Sequence, residues 1–142
     1  MWTAEHTATT PLPREAVWTA LRELHSGRLS YPGADHYVLD GPFAVGSRIA
    51  ITPEGQQEMI STIVELVDNE RYADATEFGE ISLLFRHTLE STDDGTRVTH
   101  RLEISGEGAD EVGPELGPQI SADFDTSMAS LFEQATRFAV HS

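Results

Sequence analysis

The sequence contains no cysteine, which excludes disulfides, thiolate nucleophiles and cysteine-ligated metal sites. Lysine is absent too: all nine basic residues are arginine, set against 24 acidic ones, for a formal net charge of −15. So acidic a surface repels nucleic acid and anionic membranes, and neither is expected as a partner. No apolar run approaches the ~20 residues of a membrane helix, and Met1-Trp2 is followed at once by Glu5 and His6. Neither membrane insertion nor a secretion signal is expected, which makes the cytoplasm the expected location. Phosphate loops, HExxH pairs and nucleophile elbows are missing, and the glycines at 106, 108, 113 and 117 lack a strand-to-helix GxGxxG context. The expectation is a protein without metal or cofactor.

What is present fits one domain over residues 1–142, long enough to bury roughly two-thirds of its unfolded surface. The hydrophobic share of 39% is ordinary for a globular chain. WTAEHTATT reads as a first strand with Trp2, Ala4, His6 and Ala8 on one face. Pro11-Leu12-Pro13 breaks it and opens a helix from Pro13 or Arg14 to about Leu24, with Val17, Ala20, Leu21 and Leu24 as its buried stripe. His25 to Gly33 reads as an irregular or briefly helical link. Strands are expected at about His36–Asp40, Ser47–Thr52, Gln57–Val67 and Arg71–Glu77. In the third of these, Ile60, Ile63, Val64 and Leu66 straddle both alternation phases, so its inward face is ambiguous.

Ile81 to Ser105 reads as two long strands joined at Asp93-Asp94-Gly95, a sequence that suits a type I turn closed by a bulge. Alternation puts Leu83, Phe85, His87 and Leu89 on one face, and Val98, His100, Leu102 and Ile104 on the matching face. If pairing ends at residues 92 and 95, His87 sits opposite His100. A two-residue turn at Gly79-Glu80 would likewise set Tyr72 opposite His87 and Asp74 opposite Phe85. Gly106 to Gly117 reads as a loop. From Pro118 to about Val140, Ile120, Phe124, Met128, Leu131, Ala135 and Phe138 recur at steps of three and four, the stripe of a long helix.

A single antiparallel sheet followed by one long amphipathic helix must bury that helix on the sheet's apolar face. The order resembles the START-like (SRPBCC) helix-grip superfamily of the birch-pollen-allergen (Bet v 1) type, in particular its polyketide cyclase/dehydrase-like branch. Thr9–Leu21, Gly41–Ile49, Leu89–Gly106 and Gly117–Phe124 carry the resemblance, which spans essentially the whole chain. It implies an α+β fold: a seven-stranded curved antiparallel sheet gripping a long C-terminal helix, with one or two short helices after strand 1. It also implies a cavity for a small hydrophobic or aromatic ligand, and a strand order that would place His6, His100, His87 and Tyr72 in one polar row.

His87 and His100 are the tentative catalytic residues, since imidazole exchanges protons near neutral pH. The plain alternative is that both only line the cavity and hydrogen-bond there. His6, Tyr72, Asp74, Phe85, Leu102, Phe124 and Met128 are the other expected cavity residues, most of them explicable as core; the Asp74 carboxylate must find a partner or, as the simpler expectation, be exposed at its strand end. His25, Tyr31 and His36 border the link, which the resemblance places near a cavity entrance, and read about as well as loop polarity. The expected function is binding of a small hydrophobic ligand, as a cyclase/dehydrase-like enzyme or instead as a non-catalytic carrier or chaperone-activator-like interaction domain. Assembly as a homodimer is left open.

Overall fold

A computed structural model describes residues 1–29, 35–52, 55 and 57–139. The elements are β1 (Trp2–Thr10), α1 (Arg14–His25), β2 (His36–Asp40), β3 (Arg48–Thr52), β4 (Met59–Val67), β5 (Arg71–Phe78), β6 (Ile81–Thr92), β7 (Gly95–Gly106), α2 (Ala109–Ser121) and α3 (Phe124–Ala139). The strands form one antiparallel sheet in the order β1-β7-β6-β5-β4-β3-β2. One face of this curved sheet holds α1 and the bent C-terminal helical segment, as the α+β helix-grip expectation required. No helix among the described residues is long and apolar enough to cross a membrane.

Hydrophobic alternation sets the registers. β6 and β7 pair from Ile81↔Gly106 to Thr92↔Gly95 without interruption, with Phe85 opposite Leu102 and His87 opposite His100. The expected bulge at this turn is not formed: the register runs without a shift to Thr92↔Gly95, where Gly95 takes a positive φ of 152° that side chains rarely adopt. Glycine is needed there for another reason, because a Cβ would collide with the Thr10 carbonyl and Pro11. The two-phase pattern of β4 is resolved by a real bulge, since the register shifts between Ile63 and Glu65. Ser61 and Ile63 face inward before it and Leu66 pairs with Tyr72 after it, while Ile60 and Val64 face out.

The inner face packs on the two helical layers. Val17, Ala20 and Leu21 of α1 meet Met128, Leu131 and Ala135 of α3 over Ile49, Ile63, Leu89 and Val98. Each large side chain buried this way contributes about 1.5–3 kcal/mol. The outer face is tied by charge instead. Arg101 bonds Glu5 and Glu103, and Arg86 bonds Glu103 and Glu65, a chain of ion pairs from β1 across to β4. Ala73 of β5 lies between Arg86 and Glu65 in the pairing and is fully buried.

The C-terminal region differs from expectation. Gly106–Gly117 is not a loop over most of its length, and the final helix does not start at Pro118. Instead α2 covers Ala109–Ser121 with Pro114 and Pro118 inside it, and the chain turns at Ala122-Asp123 into α3. Proline and glycine weaken a helix locally, but here a tertiary contact decides. Gly113 and Gly117 lie one turn apart against the indole of Trp2, where a Cβ on either would overlap the ring. With Ala109 they form a small-residue stripe on which Trp2 rests, beside Leu83, Ile104, Leu116 and Ile120. In an exposed helix Gly→Ala would stabilise by about 1 kcal/mol. Gly117→Ala is expected to destabilise this protein by about 1–3 kcal/mol through overpacking, measured as a lower midpoint of urea unfolding; an unchanged or higher midpoint would refute the Trp2 contact.

Candidate ligand site

The strand registers bring the expected polar residues into one line across the inner face. His6 pairs with His100, His100 with His87, and His87 with Tyr72. One pleat away, Leu102 pairs with Phe85 and Phe85 with Asp74. On the other side lie Val98 and Leu89, both buried. A polar row therefore runs between two mainly apolar ones. His100 is 7% exposed and Asp74 2%; Tyr72, Leu102 and Met128 are fully buried, whereas His6, Phe85, His87 and Phe124 are half-buried.

The side chains close on one another. The His87 and His100 rings meet edge to face with centroids 4.2 Å apart. Phe124, the first residue of α3, stands edge-on to His100 at 6.3 Å. The Tyr72 hydroxyl donates to Asp74 Oδ2 at 2.7 Å, and Phe43 stacks on the Tyr72 ring at 5.5 Å. Tyr72 and Asp74 share a face because they are two apart on one strand.

His25 completes the cluster, and reading it as loop polarity is corrected by the structure. It is the last residue of α1, 5% exposed, and its ring lies 4.5 Å from Tyr72, 4.9 Å from Tyr37 and 5.3 Å from His87. Its Nδ1 is 2.8 Å from the Leu21 carbonyl. A carbonyl only accepts, so Nδ1 carries the hydrogen and, in the neutral ring, Nε2 is an acceptor. Of the other link residues, His36 is exposed on β2 and Tyr31 lies outside the described residues.

Burial sets the protonation of this cluster. It lowers His25, although Asp74 and the Leu21 carbonyl pull the other way. His87 is held well below the ordinary imidazole value by burial and then by His100 and His25. His100 falls to about 3, from burial first and then from His25 and His6. Burial pushes the Asp74 carboxyl up, against the opposing influences of His25, Tyr72 and Ser61. It also pushes the Tyr72 phenol up, helped by Asp74. At neutral pH the three rings are uncharged, each with one donor and one acceptor nitrogen.

Several of these groups are shielded without a protein partner: His87 Nδ1, His100 Nε2, Asp74 Oδ1 and, nearby on β4, Ser61 Oγ. Ser61 acts on the Asp74 carboxyl from across the strand pair but makes no hydrogen bond of good geometry. An unpaired buried donor or acceptor costs about 1–3 kcal/mol, so four in one place form an unusual concentration. No group of three metal-ligating side chains that could hold an ion occurs among the described residues.

Two openings, of about 370 and 430 Å³, lie away from the cluster: one by Thr9, Thr10, Thr92 and Arg97, the other along α1 by Glu15, Thr19 and Phe138. The cluster's partial exposure comes through His87, His6, Phe85 and Phe124. Phe124 follows the α2–α3 turn, where Asp123 lies close enough to Asp35 to add to burial in raising that carboxyl.

The lowered histidines have a sign that can be checked. Their folded values lie below 6.5, so the unfolded chain takes up protons first on acidification. Their stabilising contribution is complete above pH 6.5 and is lost as pH falls below it. Each ring contributes up to about 1.4 kcal/mol per pH unit. Asp74 acts in the opposite sense: its contribution is lost as pH rises through its raised value. Urea unfolding of the wild type should weaken steadily from pH 6.5 to 5, and His100→Phe should flatten that slope. Equal slopes in the two proteins would contradict the buried, neutral assignment.

No family model matches the chain, and no curated protein sequence matches it. Solved structures do. Norcoclaurine synthase from Thalictrum flavum, in complex with dopamine and hydroxybenzaldehyde, superposes with a TM-score of 0.72 at 13% identity, over 99% of this chain and 87% of that one. A structural-genomics protein of Nitrosomonas europaea gives 0.69 at 16% identity, over 96% and 95%. Ara h 8.0201 gives 0.63 at 16% identity, over 99% and 98%. At such identities the likeness concerns architecture, and it extends from end to end. The chain has the helix-grip fold of Bet v 1-type, START-like (SRPBCC) proteins.

Proposed function

We propose that this protein binds a small hydrophobic or aromatic molecule between the sheet and its C-terminal helices. The ligand's polar group would be held by His87, His100, Tyr72 and Asp74. The observation that carries the reading is the group of shielded, unpartnered atoms on His87, His100 and Asp74, set between apolar rows. A ligand hydroxyl or carbonyl would satisfy atoms that the protein alone leaves unpaired, while Phe85, Leu102, Phe124 and Met128 would take up its apolar body. A synthase with this fold binds two small aromatic molecules, which supports the ligand class and leaves the reaction open.

If the protein is an enzyme, His87 and His100 are its acid and base, in a cyclisation or dehydration of the polyketide cyclase/dehydrase kind. A neutral ring can accept a proton at its free nitrogen and donate one from the other. The low basicity of both rings in the free protein would have to rise as negative charge develops on the ligand. In the free protein they are too weakly basic to hold a proton.

A second reading is favoured by a separate observation. On the outer face Val38, Ala50 and Ile60 are paired neighbours, with Val38 and Ile60 about half exposed. An outer apolar row suits a non-catalytic interaction domain, for which a second copy of the chain is one partner. Titration with 2-naphthol, a hydroxyl-bearing aromatic probe, separates the two. On the ligand-binding reading it binds the wild type, and His87→Phe or His100→Phe weakens it about ten-fold, the cost of one lost buried hydrogen bond. Undiminished binding in both variants, or binding lost only on Ile60→Asp, would refute that reading.

A further inference from the structure

We propose that Asp74 is a neutral carboxylic acid whose Oδ1–H donates a hydrogen bond to an oxygen of the ligand, a carbonyl or the phenolate or enolate oxygen related to it. The inference rests on the cluster being the ligand site, and it specifies the chemistry recognised there. The carboxyl has two distinct ends. Oδ2 accepts the Tyr72 hydroxyl at 2.7 Å, so that oxygen serves as an acceptor. Oδ1 is shielded and has no partner. Were the group ionised, a charged oxygen would sit unpaired in the interior, which is far costlier than an unpaired neutral group.

The neighbours supply no compensating charge. Among the described residues Asp74 forms no ion pair, and the polar groups that act on it are His25, Tyr72 and Ser61. The one imidazole that acts on the carboxyl, His25, spends its Nδ1–H on the Leu21 carbonyl, 2.8 Å away, and is itself kept neutral by burial. The arginines of β6 and β7 nearest in sequence, Arg86 and Arg101, belong to the outer face and are committed to Glu5, Glu65 and Glu103. With its proton on Oδ1 the carboxyl is a donor that Tyr72 both orients and polarises, since a hydroxyl donating to Oδ2 makes the remaining O–H more acidic.

A donor of this kind suits an oxygen that gains negative charge. A protonated aspartate kept neutral by an apolar site can stabilise such an oxygen. The imidazole atoms add the complement, because His87 Nδ1 and His100 Nε2 are also unpartnered and can accept from a ligand hydroxyl. The ligand class is therefore one with an oxygen acceptor beside an apolar ring or chain: phenols and enolisable carbonyl compounds. Simple hydrocarbons and fatty-acyl chains without such an oxygen would leave Asp74 unpaired.

Two measurements test this on the intact protein. In ¹³C-labelled wild type at pH 7, the Asp74 carboxyl carbon, assigned by its loss in Asp74→Asn, should resonate as the protonated acid; the shift of an ionised carboxylate overturns the inference. The second uses 2-naphthol. Asp74→Leu, which has no donor, should bind it at least about ten-fold more weakly than wild type. Asp74→Asn, which can accept from Tyr72 and still donate through its amide, should stay within about three-fold. Binding by Asp74→Leu equal to wild type overturns the donor role and leaves the ligand-site reading standing. Failure of wild type to bind overturns both.

Discussion

The structure depends on polar side chains being held inside an apolar interior. His25, Tyr72, Asp74, His87 and His100 come from one helix end and three adjacent strands, and they are packed ring to ring. Two hydrogen bonds anchor the group, Tyr72 to Asp74 and His25 to Leu21. Replacing such a cluster with leucine and phenylalanine would be expected to stabilise the fold, because unpaired buried polar atoms cost more than they return. Where a sequence departs from the rule that buried groups are satisfied, function is the usual reason.

The remaining architecture serves that interior. The arginine–glutamate chain on the outer face ties β1, β7, β6 and β4 together, so strand registers on the inner face cannot slip without breaking ion pairs. The β4 bulge turns Val64 outward and returns Leu66 to the inner face beside Tyr72. Trp2, seated on Gly113 and Gly117, fixes α2 against the sheet's β1 edge. Because α2 ends at Ser121, the chain turns there and delivers Phe124 to His100 and Met128 to the core.

Much of this was legible in the sequence. The β5–β6–β7 pairing follows from period-two alternation and two short turns, and those turns fix His87 against both His100 and Tyr72. Asp74 does face Phe85 as read, but exposure at the strand end, the simpler expectation for its carboxyl, is overturned: it is buried and accepts from Tyr72, two residues back on the same strand. Other features were hidden for physical reasons. β4 carried a mixed pattern because a bulge had changed its phase. The glycines and prolines of α2 read as a loop because their value lies in a contact with Trp2, more than a hundred residues away. His25 read as part of the link after α1, near a cavity entrance or as loop polarity; only the packing of α1 on the sheet buries it beside Tyr72 and His87.

The most direct test is a long-range ¹H–¹⁵N spectrum of the imidazole rings, recorded at pH 7 without and with 2-naphthol. The account predicts neutral rings for His25, His87 and His100, with the hydrogen of His25 on Nδ1. It further predicts that 2-naphthol shifts the nitrogens of His87 and His100. Imidazolium signals from these rings at pH 7, or rings that stay unmoved while residues around Val38 and Ile60 respond, would contradict it.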